Sequence, residues 1–304
     1  MAIVERDLTK NLPLSKTAAP SKSSSQRQSL GGFGVKLAFA VILATLLAAV
    51  FAPILAVSDP YRQSLVARLK APIFVGGSGP HILGTDALGR DIASRLIYGA
   101  RLSLYVSVTG ALGACLIGTT LGLVAGRYGG WVERILLGII NMQLSIPFIL
   151  LAITLVAVTK PGVTNIVFIL IATGWAGYAR VIRAETLKLN EAGFVESAEA
   201  IGQKEHLILW KHYLPNLLPQ IIVLASMDIA KFIVLESSLS FLGLGVEPSI
   251  PTWGSMAAEG REYLATHWWL TTLPGLAVFS VCLALNTIGD WLRERLDPRS
   301  TVRG

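Results

Sequence analysis

Long apolar runs alternate with shorter polar stretches along this chain. A helix needs about 20 apolar residues to cross a bilayer, and six runs approach or exceed that length. They cover residues 36–57, 101–125, 135–158, 164–182, 217–240 and 270–290, with a short turn around 159–162 between the third and the fourth. The pattern predicts an all-α membrane protein with six transmembrane helices.

Composition agrees with a membrane protein and excludes several other classes. Of the 304 residues, 53% are hydrophobic and 15% are charged, whereas a soluble domain carries roughly 25% charged residues. The net charge of +7 is explained by cations beside membrane spans, so binding to nucleic acid is not expected. Cys115 and Cys282 lie in apolar runs and the four histidines are scattered. Neither a disulfide framework nor a metal site is therefore expected.

The polar segments divide the chain into five parts. We expect a flexible tail (1–35), a first transmembrane anchor (36–57), an extracytoplasmic loop (58–100), a membrane core (101–290) with a further loop at 183–215, and a C-terminal tail (291–304). With both termini on one side, 17 Lys and Arg residues fall on that side and 8 on the other. Because such residues accumulate on the cytoplasmic side, both termini and the 183–215 loop are predicted to be cytoplasmic.

The second apolar run carries a small residue at every fourth position. These residues form one ridge along a helix: Gly110, Ala114, Gly118, Gly122 and Gly126. In lipid, such ridges let two helix backbones approach closely. The ridge predicts a tight helix contact, either around a transport pathway or as ordinary packing of the bundle.

Residues 194–220 form a charged, amphipathic stretch between two apolar runs. Phe194, Ala198 and Ile201 have the spacing of one helix face, and Gly202 then predicts a turn. A second helical piece follows, closed by two prolines, with its apolar positions at Leu207, Trp210 and Leu214. The pattern alone favours equally a knob that docks on a partner and a helix that lies on the lipid surface.

The motif in this stretch resembles the EAA loop of ABC-importer permeases. The matching positions are Glu196, Ser197, Ala198, Gly202, Leu214 and Pro215, with Ser197 in place of the usual Ala. The segments "HILGTDALGRDIASRLIYGARLSL" (81–104) and "ESSLSFLGLGVEPSIPTWGSMAAEGREYL" (236–264), and the ending "NTIGDWLRERLDPR" (286–299), closely resemble the C-type permease of dipeptide, oligopeptide and nickel importers. The resemblance extends from about residue 35 to 299.

The resemblance implies a type I ABC-importer permease in the bacterial cytoplasmic membrane. Such a subunit pairs with a homologous permease, two ATPase subunits that bind ATP and Mg²⁺, and an extracytoplasmic solute-binding protein. The matching EAA positions would form the coupling helix that docks on the ATPase. No Walker A motif occurs in the sequence, so this chain is expected to be no enzyme and to hold no cofactor of its own. Peptides are the expected cargo, with nickel, glutathione or another small solute as alternatives.

Charged residues within the fifth run are candidates for the pathway or for gating. Asp228, Lys231 and Glu236 lie there, where ionisable groups are costly and usually face a cavity or one another. Asp228 and Lys231 are three residues apart and could form a structural pair on one helix face. Both interpretations remain open.

A second charged group precedes the second apolar run. Asp86, Arg90 and Asp91 are expected to order the outer loop, against either the partner permease or the binding protein. The simpler alternative is a solvated helix start capped by Thr85 or Asp86.

Two other function classes are less well supported. An ion-coupled secondary transporter would show an internal repeat with broken helices at matching positions, and none is found. An intramembrane hydrolase would need a base near Ser237, Ser238 or Ser240, and no histidine lies at helical spacing from them.

Overall fold

A computed structural model describes residues 23–296 apart from 78, 160, 161 and 248. Its α-helices are α1 (Ser23–Val50), α2 (Ala52–Leu55), α3 (Ile92–Tyr128), α4 (Gly130–Ser145), α5 (Phe148–Val158), α6 (Val163–Asn190), α7 (Gly193–Ala200), α8 (Glu205–Ile208), α9 (Leu214–Phe241), α10 (Trp253–Gly260) and α11 (Trp269–Leu296). Across these described residues the sheet content is limited to one isolated bridge, between Thr85 and Asp91. The predicted all-α fold is confirmed.

Five helical segments are long and apolar enough to cross a membrane. They are Gly32–Val50, Ile92–Tyr128, Val163–Asn190, Glu205–Phe241 and Trp269–Leu296. A sixth span is obtained if α4 and α5 are counted together, although the two are bent by 93°. By length and composition the chain therefore has the five or six spans of a polytopic membrane protein.

The expected continuous helix over 135–158 is wrong, because the chain leaves the helix between α4 and α5. Ile146 has φ −90° and ψ 125°, and Pro147 has φ −55° and ψ 132°. Proline disfavours the α conformation in the residue before it. The third apolar run is thus two helices joined at a sharp corner.

Other helix boundaries also differ from the hydropathy estimate. Helix α3 begins nine residues before position 101, and α6 continues eight residues beyond position 182. Helix α1 begins at Ser23, inside the expected tail, and α11 continues to Leu296. Residues 1–22 and 297–304 of the two predicted tails, and Lys160 and Pro161 of the predicted turn, lie outside the described residues.

The ridge of small residues on α3 faces α6. A Cβ atom added to Gly118 would lie 2.3 Å from the carbonyl oxygen of Trp175, and one added to Gly122 would lie 2.6 Å from that of Ala179. Both distances are shorter than a carbon–oxygen contact allows. At these two positions the α3 and α6 backbones are too close for a side chain to fit between them. The ridge therefore forms a tight contact between α3 and α6.

The remaining spans pack around this pair. Phe232 of α9 is fully buried against Ala114 of α3 and Leu170 of α6. Helix α11 packs on α9, α1 and α10. The short helix α10 and the loop before α3 close one end of the bundle, here called the α10 end. Helices α7 and α8 lie at the other, here called the α7 end.

Candidate functional site

Helix α7 projects an acidic and apolar surface from the α7 end. Glu196 and Ser197 are exposed, whereas Ala198 is buried. Gly202 follows with φ +72°, a left-handed conformation that glycine adopts without the usual steric cost. Its N–H donates to the carbonyl of Glu199 at 2.9 Å and so closes the helix. The turn that the sequence places at Gly202 is present in the backbone.

The expected apolar face of α7 is only partly the face that packs inward. Val195 and Ala198 are buried against the bundle. Phe194 remains 42% exposed and Ile201 81% exposed, although both were expected on the same face as Ala198. Helix α7 therefore has two apolar surfaces, one packed on this chain and one partly exposed, where Phe194 stacks on His212.

The segment after α7 differs from the expectation in two ways. Its buried apolar residues are Ile208, Tyr213 and Leu217, whereas Trp210 is 69% exposed. The prolines also fail to close it: a π-helical turn, Leu209–Tyr213, joins α8 to α9 without a break. Leu214 is half-buried and Pro215 is exposed at the first turn of α9.

Arg127, in the last turn of α3, holds α7 and α8 to the bundle. Its guanidinium donates from Nη2 to Glu199 Oε1 at 2.5 Å and from Nε to Glu205 Oε1 at 2.6 Å. Its Nη1 lies 3.3 Å from the Tyr213 hydroxyl, which donates to Asn190 Oδ1 at 2.6 Å. One arginine thus connects α3 with α7, α8 and the π-helical turn before α9. None of these contacts was predicted.

Asp228 and Lys231 lie on the same side of α9, inside a membrane span. Lys231 Nζ is 3.7 Å from Asp228 Oδ1, a loose ion pair, and the Lys231 side chain is 59% exposed. Tyr178 of α6 places its buried hydroxyl close to Asp228. A lysine this exposed within a span would be costly against lipid. This face of α9 therefore requires a water-filled space or another protein surface.

Glu236 is fully buried where α9 meets α3 and α10. Its carboxylate accepts a hydrogen bond from Ser240 at 2.8 Å and longer ones from Ser103 and Ser237 at 3.4 Å. Ser103 in turn accepts from the N–H of Trp253 at 3.3 Å. Within the described residues no lysine or arginine forms an ion pair with Glu236. Glu236 is thus linked to α3 through the Ser103 hydroxyl, and that hydroxyl also links α3 to α10.

Beside Glu236, a cleft of about 390 Å³ opens between α9, α10 and α11. Its walls are mainly apolar, with a few small polar groups. The lining residues are Val234, Ser237, Ser238, Phe241, Leu242, Trp253, Gly254, Ala257, Gly275 and Val278.

The charged group before α3 forms a buried cluster with a residue of α10. Arg90 Nε and Arg95 Nη1 both donate to Asp86 Oδ2, at 2.6 and 2.5 Å. The same two arginines each reach Glu259 Oε2 at 2.6 Å. Asp86 and Arg90 thus lie together, as the sequence suggested. Arg95 and Glu259, which the sequence reading missed, complete the cluster.

Asp91 has a different role from Asp86. Its Oδ2 accepts from the N–H of Ser94 at 2.8 Å, which caps α3, and its Oδ1 lies 2.9 Å from His81 Nδ1. The expectation that Thr85 or Asp86 caps this helix is wrong. Thr85 instead bonds to the carbonyl of Ala67 and fixes the loop.

The described residues contain no group of three His, Cys, Asp or Glu side chains arranged to hold a metal ion. The chemistry that these sites offer is charge pairing, hydrogen bonding and helix contact.

Comparisons with known proteins identify the family. A model described as the inner membrane component of binding-protein-dependent transport systems matches residues 118–302, more than half of the chain. The chain belongs to this family. The resemblance to ABC-importer permeases is confirmed, and the chain is a multi-pass transport permease subunit.

Individual relatives cover most of the chain. The dipeptide transport system permease protein DppC of Alkalihalophilus pseudofirmus is 38% identical over 85% of this chain and 84% of its own length. The glutathione transport system permease protein GsiD of Pectobacterium atrosepticum is 42% identical over 74% of each chain.

A chain of the inward-facing MetNI methionine ABC transporter superposes with a TM-score of 0.56. It is 19% identical and the match covers 67% of this chain and 97% of that one. This likeness shows the fold alone and confirms the expected type I importer permease architecture.

Proposed function

We propose that this chain is one of two permease subunits in an ATP-driven importer of di- and oligopeptides. The second permease, two ATPase subunits that bind ATP and Mg²⁺, and an extracytoplasmic solute-binding protein complete the complex. Transport proceeds by alternating access, with the bundle switching between two arrangements that the ATPases bias from a distance. The dipeptide permease relatives support the cargo, and the family supports the partners.

The partly exposed surface of α7 is the observation that carries this proposal. Glu196, Phe194 and Ile201 are exposed at the α7 end, while Val195 and Ala198 attach the helix to the bundle. An apolar patch beside an exposed carboxylate suits a protein cleft lined by apolar groups and a cation. The coupling element would comprise Glu196, Ser197, Ala198, Gly202, Leu214 and Pro215. A helix lying on lipid would favour a basic polar face, and this one is acidic.

Orientation follows from the same element. If α7 meets ATPases in the cytoplasm, the α7 end is cytoplasmic and the α10 end faces the binding protein. The excess of Lys and Arg on the α7 side supports this arrangement, and both chain termini would then be cytoplasmic.

The polar groups of α9 are the proposed pathway and gating residues. Lys231 and Asp228 occupy the face that requires water or protein, where they could meet the charged ends of a peptide. Glu236 accepts a hydrogen bond from Ser103 of α3, which in turn accepts one from the N–H of Trp253 in α10. A change in the tilt of α3 relative to α9 would break the Ser103 bond, which suits a gate.

The test is ATP-driven peptide uptake into proteoliposomes that contain the complete complex. The double variant Glu196→Lys plus Gly202→Asp reverses the exposed charge and forces a β-substituted side chain into a left-handed position. We expect recovery of the ATPase subunits with the permease to fall, and uptake to be lost.

A matched control separates docking from general damage. Glu262→Lys plus Gly76→Asp makes the same changes at the α10 end, where Glu262 is exposed and Gly76 has φ +94°. This control should retain the ATPases. Equal recovery of ATPase subunits with both double variants would contradict the proposed coupling role.

Glutathione is the second candidate cargo, because one relative is a glutathione permease. Competition of labelled dipeptide uptake by glutathione and by nickel distinguishes the cargo classes. Dependence on the ATPase subunits distinguishes all of them from ion-coupled secondary transport.

A further inference from the structure

Helix α7 is attached to the bundle in two chemically different ways. The first is apolar and joins α7 to the α6, α8 and α9 side, through Val195 and Ala198 against Ile182, Tyr213 and Leu217. The second is ionic and joins α7 to α3, through Glu199 and Arg127. Among the described residues, Glu199–Arg127 is the one ion pair that connects α3 with α7.

Arg127 is placed to act on several elements at once. It donates to Glu199 of α7 and to Glu205 of α8, and Glu205 is held by both Nε at 2.6 Å and Nη2 at 3.2 Å. Such fork-like contacts fix direction as well as distance. The Tyr213 hydroxyl contacts Arg127 and donates to Asn190, whose Nδ2 donates to the carbonyl of Gly126 at 2.8 Å.

Arg127 lies on the part of α3 that packs tightly against α6, so its contacts also act on α6. The neighbouring Gly126 lies against Thr186 of α6, and Gly122 lies against Ala179 one turn away. There is no room between the α3 and α6 backbones at these points. A displacement of the end of α3 must therefore carry α6 with it, because close-packed elements do not compress.

We propose that Arg127 is the positioning residue that transmits movement of α7 to the α3–α6 pair. This inference rests on the proposed function, in which an ATPase subunit moves α7. The apolar contacts keep α7 attached when Arg127 is removed, but they do not fix its direction, so α7 can rotate against the α3–α6 pair and the movement is not passed on. Loss of Arg127 should therefore uncouple ATP hydrolysis from transport without dissolving the complex.

The test uses the complete importer in proteoliposomes and measures uptake and ATP hydrolysis together. For Arg127→Gln we expect retained ATPase subunits and continued ATP hydrolysis. Uptake per ATP should fall by at least about 5-fold, the lower end of ordinary coupling between sites. Arg134→Gln is the matched control, since Arg134 is an exposed arginine on the neighbouring α4 that forms no ion pair within the described residues.

Two rescue variants separate positioning from general stability. Arg127→Lys keeps the charge but cannot hold two carboxylates with one planar fork, so it should restore the ratio in part. Arg127→Glu combined with Glu199→Arg rebuilds the α3–α7 pair in reverse and should recover more uptake per ATP than Arg127→Glu alone. A purely structural role would change stability while leaving the ratio of uptake to hydrolysis unchanged.

The outcomes distinguish this inference from the proposed function. If the unmodified complex imports with ATP and Arg127→Gln keeps the same uptake per ATP, the inference is overturned while the proposed function stands. If the unmodified complex shows no ATP-driven uptake, the proposed function fails first. Should Arg127→Gln fail to assemble, Glu199→Gln replaces it, since it removes only the connection from α3 to α7. An unchanged ratio in that variant also overturns the inference.

Discussion

The two ends of α3 are attached to the rest of the chain by similar charged clusters that differ in solvent exposure. Each end carries an arginine that pairs with two carboxylates from other parts of the chain. Arg95 meets Asp86 and Glu259 at the α10 end, and Arg127 meets Glu199 and Glu205 at the α7 end. With a rise of about 1.5 Å per residue, the two clusters are separated by roughly the length of the whole helix.

The two clusters differ in how deeply their side chains are buried. The Arg95 side chain is 2% exposed, that of Asp86 8% and that of Glu259 29%, whereas Arg127 is 16% exposed and Glu199 and Glu205 are 43% and 42% exposed. A buried charge that loses its partner has nothing to replace it, so such a cluster behaves as a permanent joint. A half-exposed pair can exchange its partner for water at little cost. The α10 end is therefore held more strongly than the α7 end.

The largest effect is expected from opening the buried cluster. Arg95→Gln leaves Asp86 and Glu259 to share Arg90, in a place that water reaches poorly. Removing one partner of a buried ion pair costs about 3–5 kcal/mol. At roughly 2–4 °C per kcal/mol, the midpoint of thermal unfolding in detergent should fall by on the order of 10 °C.

Arg101→Gln is the matched control for this change. Arg101 lies on the same helix but is exposed, and surface substitutions usually change stability by less than about 0.5 kcal/mol. Equal unfolding midpoints for the two variants would mean that the α10 cluster contributes no more to stability than a surface charge. The proposed difference between the two ends of α3 would then be wrong.

A smaller effect is expected from the middle of α3, where the small-residue ridge meets α6. The Cβ of Gly118→Ala would lie 2.3 Å from the Trp175 carbonyl oxygen and 2.5 Å from Tyr178 Cβ. Overpacking of this kind costs about 1–3 kcal/mol. Thermal unfolding in detergent measures the loss.

Gly138→Ala provides the comparison for Gly118→Ala. Gly138 is also helical, but no atom lies within 4 Å of the added Cβ. Alanine should be neutral there or stabilising by up to about 1 kcal/mol. If Gly118→Ala were equally harmless, α3 and α6 could separate, and the two ends of α3 would not be linked through a rigid pair.

Local regularities carried the successful sequence predictions. The four-residue spacing of the α3 ridge and the identity of Gly202 each depend on residues close together in the chain, and both have the expected geometry here. The corner at Pro147 was also readable from the sequence, because proline restricts the residue before it. The apolar run 135–158 is as long as one membrane span, and it was therefore predicted as a single helix despite Pro147.

Long-range pairs and the direction of an apolar face could not be predicted in the same way. Arg95 and Glu259 are 164 residues apart, and no periodicity connects them. On α7, Phe194 and Ile201 are as apolar as Val195, yet only Val195 is buried by this chain. Hydropathy identifies a surface that avoids water, but it does not say whether the surface is covered by the same chain or by another.

The smallest effect should be a difference in salt response between the two ends of α3. Screening shortens the reach of exposed charges from about 10 Å at 0.1 M salt to about 3 Å at 1 M, and pairs of this exposure are worth roughly 0.2–1 kcal/mol. Amide hydrogen exchange at the end of α7, at Ile201 and Gly202, should therefore accelerate by up to about 5-fold in 1 M salt. The amides of Leu88 and Arg90, which donate to the buried Asp86 at 2.8 and 2.9 Å, should not respond.

Arg127→Gln tests whether the Arg127 ion pairs cause the salt response of the α7 amides. Without the guanidinium, the α7 amides should exchange fast at both salt concentrations, since there is no ion pair left to screen. If they stayed salt-sensitive in that variant, the response would come from another charge, and Arg127 would not be what holds α7. If instead the Asp86-bonded amides responded to salt, water would reach the α10 cluster after all. Burial would then not be the property that distinguishes the two ends of α3.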